Sequence, residues 1–196
     1  MLAVLSANAS AQVLTFGVQG GVPAQTPRGR TDAVPFVLGP SVGIRISSGL
    51  SLETGLLYRR IGRGVETALF AFPENSVTAR FETWRGNAVE VPLLAKYRFL
   101  SDRSGWRPFL TAGPALRRTS ITSNVGTYPN PTDAGRILVG QSKNIQWKID
   151  PSFGTGVDLR TGRFHIEPEV RYSYWGAGKT TSIRKNQVNF MLGFRF

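Results

Sequence analysis

The sequence has no cysteine, which excludes a disulfide framework and any thiol or zinc–thiolate chemistry. It has one histidine, His165, so no metal-spaced histidine cluster can form. Apolar runs reach only a handful of residues, too few for a transmembrane helix, and any membrane reading must rest on strands. No His-x-Ser or phosphate loop is present, and nothing points to a catalytic residue, a metal or a cofactor. Acids are scarce: 12 Asp and Glu stand against 24 Lys and Arg, a formal net charge of +12. Such an excess raises nucleic acid as a partner. The bases are not gathered into one helix or arm, however, and an exported chain would not meet nucleic acid. A negatively charged lipid surface suits the charge better.

What the sequence does have is alternation. In the last eleven residues Val188, Phe190, Leu192, Phe194 and Phe196 recur at every second position. Gln187, Asn189, Gly193 and Arg195 lie between them, with Met191 the one apolar residue in the polar register. Period two marks a strand with one apolar and one polar face. Seven further stretches read the same way, over about 13–22, 34–46, 50–60, 88–100, 107–117, 149–160 and 164–174. The expected fold is all-β: an eight-stranded, antiparallel, up-and-down transmembrane β-barrel.

The connections sharpen this. Ser47–Gly49, Ser101–Gly105 and Thr161–Gly162 are short, whereas Pro23–Ala33, Ile61–Asn87, Arg118–Lys148 and Gly176–Lys185 are long. Short and long alternate strictly, so the long ones leave one end and both termini the other, as in outer-membrane barrels. Trp84, Trp106, Trp147 and Trp175 fall at strand boundaries and are expected to form an aromatic girdle at the two interfaces.

Two family resemblances follow. The final strand ending in Phe196 resembles the C-terminal sorting signal of Gram-negative outer-membrane barrels. That resemblance implies that Phe190, Phe194 and Phe196 are read by the outer-membrane insertion machinery. In the middle of the chain, Val89-Glu-Val-Pro-Leu-Leu-Ala-Lys-Tyr-Arg-Phe99 and Arg107-Pro-Phe-Leu-Thr-Ala-Gly-Pro114 resemble strands of the PorT-like family of small outer-membrane barrels. One branch of that family is associated with protein secretion; nothing in these residues transfers the role.

The polar faces carry half of the acids: Glu53, Glu90, Asp150, Asp158, Glu167 and Glu169. With them lie Arg45, Arg59, Lys96, Arg98, Arg160, Arg171 and Arg195. In a membrane barrel these side chains face a lumen that eight strands only just enclose, where opposite charges would pair and plug it. His165 shares this face with Glu167 and reads as a lumenal imidazole held by a carboxylate. Residues 1–11, ending in Ala9-Ser10-Ala11, read as the remainder of a signal peptide, leaving residues 12–196 as the barrel domain. The expected role is structural or interactive at the outer membrane, through lipid, lipopolysaccharide or a protein partner at the external loops. Basic residues of those loops (Arg118, Arg136, Lys143, Lys148, Lys179, Arg184 and Lys185) suit phosphate. A lipid-A-modifying enzyme and a soluble, secreted, ligand-binding barrel stay open as alternatives.

Overall fold

The computed structural model describes residues 14–24, 30–31, 35–71, 77–100, 105–128, 137–175 and 185–196. Side chains are described for the same residues except 30–31, 62–71, 77–82, 127–128 and 137–139. Ten strands occur in chain order: β1 (Leu14–Pro23), β2 (Arg30–Thr31), β3 (Phe36–Arg45), β4 (Leu50–Gly55), β5 (Leu57–Ala71), β6 (Val77–Arg98), β7 (Trp106–Tyr128), β8 (Ile137–Thr161), β9 (Phe164–Tyr174) and β10 (Asn186–Arg195). All pairings are antiparallel. β1 pairs with both β10 and β3, so the sheet closes on itself. At the seam the Phe196 amide donates to the Phe16 carbonyl at 3.0 Å and the Phe16 amide returns the bond at 3.3 Å.

β4 and β5 are one stave of the barrel, which gives a ring of eight. Ser41 opposes Gly55 and Leu38 opposes Tyr58, the same register on either side of the break at Leu56. The break has a simple cause. Pro40 lies across from Leu56 on one neighbour, Pro92 lies near it on the other, and neither proline has an N–H to give the ladder. The Leu56 amide still donates to the Pro40 carbonyl at 3.1 Å. Pro114 faces Pro151 directly, and Pro168 faces Leu192, again without a shift of register. Each in-strand proline removes a bond and leaves the phase of the side chains intact.

Burial is inverted relative to a water-soluble barrel. Leu14, Phe16, Leu38, Tyr97, Leu110, Phe153, Val170, Phe190 and Phe194 face outward and are exposed. Glu53, Lys96, Asp158, Arg171 and Asn189 are among the most deeply buried side chains. A continuous apolar surface of this extent is stable only against lipid. A soluble ligand-binding barrel needs the opposite arrangement.

Four staves are taller than the rest. The long connections expected over Ile61–Asn87 and Arg118–Lys148 are largely strand: β5 and β6 stay paired to Ala71–Val77, and β7 and β8 to Thr127–Ile137. Residues such as Thr119, Ile121, Thr122 and Val125 favour extended backbone. Above the membrane no lipid imposes an apolar outer face, so period two fades while pairing continues. β1, β3, β9 and β10 keep to ten or eleven residues, so the barrel carries one high wall. At the opposite end Gly162, with φ of 64°, turns β8 into β9, a backbone conformation that glycine takes without steric cost.

Candidate functional site

The lumen is lined by alternate residues of every stave, because phase two sends one side chain in and the next out. The side chains that meet there form three tiers. Nearest the short turns, Asp158 gathers three partners. Its carboxylate accepts from Arg98 Nε at 2.9 Å and Arg107 Nη2 at 2.7 Å, and lies 2.7 Å from His165 Nδ1. The imidazole therefore pairs with Asp158 rather than with Glu167, its neighbour on the same face.

At mid-height Lys96, with no exposed surface, sits between two carboxylates: 2.9 Å from Glu53 Oε2 and 2.8 Å from Glu167 Oε2. Its ammonium also lies 4.2 Å from the centre of the Phe109 ring. Arg195 bridges the same two acids, with Nε 2.7 Å from Glu167. Arg98 adds bonds to Glu167 Oε1 at 3.0 Å and Ser51 Oγ at 2.9 Å. Gln19 donates to Glu53 and accepts from Arg171 Nη2 at 3.3 Å, linking this tier to the next. Arg171 grips Glu169 through two parallel bonds of 2.8 and 2.9 Å, the strong bidentate form. Thr111 supplies Glu169 with a third donor at 3.1 Å.

Toward the high wall the lumen turns aromatic. Arg59 donates to Asn189 Oδ1 at 2.7 Å and faces Glu90 at 3.9 Å, while Arg117 pairs with Asp150. Both guanidiniums stack on Trp175, at 5.1 and 3.8 Å from its ring. Trp175 packs with Trp84, Ile61, Ala88 and Ile121 in an apolar cluster inside the barrel. A smaller cluster of Met191, Val37 and Leu57 explains the apolar residue in the polar register of β10.

Several expected positions need correction. Trp84 and Trp175 are 2% and 5% exposed and belong to the lumen, not to a lipid-facing girdle. Trp106 and Trp147 do lie on the outer face, at 55% and 63%. Arg45 and Arg160 keep the inward register but stand exposed at the short-turn rim, outside the buried clusters. Glu53, Arg59, Glu90, Lys96, Arg98, Asp158, Glu167, Glu169, Arg171 and Arg195 meet in the lumen, with His165 half-buried below them. Sequence reasoning missed Gln19, Arg107, Thr111, Arg117 and Asn189. For Arg107 and Arg117 the signal was present: both share the odd phase of Phe109 and Thr111 on β7. Phe190, Phe194 and Phe196 point outward along the seam. Residues 1–11, and Arg136, Lys179 and Arg184 of the basic loops, lie outside the described residues.

The charge is sorted by face. Every described carboxylate points into the lumen, where Arg59, Lys96, Arg98, Arg107, Arg117, Arg171 and Arg195 nearly balance six acids. Other described bases, among them Arg60, Arg85, Arg118, Lys143 and Arg163, are exposed on the rims and outer wall. Among the described residues no cluster of His, Asp or Glu has the form of a metal site.

Residues 10–181 match the family described as outer membrane protein beta-barrel domain. Among solved structures, the chain is similar to the N-terminal β-barrel domain of Pseudomonas aeruginosa OprF, at 19% identity and a TM-score of 0.47, covering 94% of this chain and 98% of that one. Neisserial surface protein A matches at 19% identity and a TM-score of 0.47, over 93% and 94% of the two chains. The outer membrane enzyme PagL matches at 12% identity and a TM-score of 0.40, over 94% and 99%. No curated protein matches the sequence.

Proposed function

The chain belongs to the outer membrane protein β-barrel family, and from that premise we propose that it is a closed, non-conducting barrel with a structural or interactive role. The supporting observation is the lumen, which among the described residues is occupied by paired, buried charges over two tiers and a Trp–Arg stack above them. Buried charges that are paired and hydrogen-bonded resist separation, because freeing one leaves another uncompensated in a poorly polarisable interior. Such a barrel works as an anchor. It holds the high wall of β5–β8 above the outer leaflet, where lipopolysaccharide or a protein partner would meet it. Phe190, Phe194 and Phe196 would serve the insertion machinery before the seam closes, and residues 1–11 would direct export. Purified protein in a planar bilayer is expected to give no stable ohmic conductance; a steady open channel would refute the closed reading.

A lipid-A-modifying activity is the reading this one displaces. His165 is engaged by an Asp158 already shared with Arg98 and Arg107, inside the barrel and toward the short turns. A nucleophile-activating histidine needs to face its lipid substrate. Lipid A profiles of cells expressing the parent and His165→Ala proteins should be identical to those of cells without the protein. A mass change that depends on His165 would restore the enzymatic reading.

A further inference from the structure

The outer face of the high wall carries a pattern beyond an apolar band. On β8 the band runs from Leu159, opposite Trp106, to Trp147, opposite Arg118. That is about 12 residues, which at roughly 3.3 Å each and a tilt of about 35–45° gives a height of roughly 28–32 Å. A bilayer core is about 30 Å thick. Trp106 and Trp147 thus lie one core apart, and the Trp147 row marks the outer interface.

At that row and just above it the outward residues change character. Arg118 stands opposite Val89 and Trp147, with its guanidinium 5.8 Å from the Trp147 ring. One row higher Arg60 opposes Asn87, and the next holds Arg85 and Lys143, each opposite Thr122. All four cations are exposed, on four adjacent staves. No described carboxylate lies on this face, since all of them are inside. Like charges crowded on neighbouring strands repel, and a bound anion removes that cost. The height supplies the identity of the anion: these side chains sit where headgroups of the outer leaflet begin.

We propose that Arg60, Arg85, Arg118 and Lys143 form a ledge that binds the phosphate groups of an outer-leaflet glycolipid, with Trp147 packed against its acyl–headgroup boundary. This deepens the interactive role above and rests on the membrane-barrel reading. The ledge fixes the high wall in the leaflet and orders lipid along one side of the barrel.

The test uses the full-length refolded protein and the quadruple variant Arg60→Gln, Arg85→Gln, Arg118→Gln, Lys143→Gln. Each is titrated in micelles with diphosphoryl lipid A and with its dephosphorylated counterpart, followed by native mass spectrometry and Trp147 emission. The parent should prefer the phosphorylated lipid, and the variant should lose that preference by a factor on the order of 100–1000, as expected for four cations at an anionic lipid surface. Arg160→Gln with Arg163→Gln, at the opposite rim, should change it little. The ledge is refuted if the quadruple variant keeps the preference, if the opposite-rim variant loses as much, or if inorganic phosphate at the lipid concentration displaces the lipid. Loss of the cold–boiled mobility shift on a denaturing gel in the parent protein would instead refute the underlying barrel, so the two failures are distinguishable.

Discussion

Replacing Lys96 by Met is the most informative single change in the lumen. The ammonium is fully buried and sits within 3 Å of both Glu53 and Glu167. Methionine fills the space but leaves two carboxylates to share Arg195, with Arg98 reaching only Glu167. Breaking a buried pair by deleting one partner costs about 3–5 kcal/mol, mostly as the penalty of the stranded charge. With a urea slope of about 1–3 kcal/mol per molar, the unfolding midpoint in lipid vesicles should fall by roughly 1–5 M. Adding Glu53→Gln removes the stranded charge, so the double variant should recover about 1–3 kcal/mol of the loss despite carrying two changes. The assay is equilibrium unfolding followed by tryptophan emission, with the mobility shift as a check on the folded state. If Lys96→Met costs under about 1 kcal/mol, or if the two changes simply add, the lumen behaves as hydrated surface. The plugged interior would then be wrong.

Other expectations follow from particular contacts. In single-tryptophan variants, brominated lipid should quench Trp106 and Trp147 and spare Trp84 and Trp175; equal quenching of all four would overturn the placement of the inner pair. Gly113→Val should fail to refold into the heat-modifiable form, because a Cβ there meets the Leu93 carbonyl and the Leu94 Cα of the neighbouring strand. Gly162→Ala should fold and lose only about 1–2 kcal/mol, the cost of a left-handed backbone for a side chain with a Cβ, read as a small shift in the urea midpoint.

The membrane-spanning part of the fold was legible because lipid on one face and a polar lumen on the other force strict alternation. β1, β3, β9 and β10 begin and end within about two residues of where period two begins and fails. β5–β8 were read too short for the complementary reason: above the leaflet both faces meet water, and Thr, Ser and Asn serve either. Trp84 and Trp175 were sorted wrongly by their position at strand boundaries, when phase decides. Trp84 shares the even phase of Ala88 and Glu90 on β6, and Trp175 the odd phase of Glu167, Glu169 and Arg171 on β9, so both turn inward. Trp147 shares the outward phase of Ile149 and Phe153. Which acid pairs with which base was not legible, because pairing across a lumen depends on stagger between staves distant in sequence. His165 shows this: Glu167 is its neighbour along the strand, but Asp158, across the Gly162 turn, is its partner.

The central claim is that the apolar face is outside and the charged face inside a closed barrel, and one gel tests it. The chain from Gln12 onward, refolded in detergent, is run on a denaturing gel with and without boiling. A closed membrane barrel stays folded in the cold detergent and changes mobility on boiling, which is the result predicted here. A protein that shows no shift and remains soluble without detergent would place the charged face in water and contradict the account.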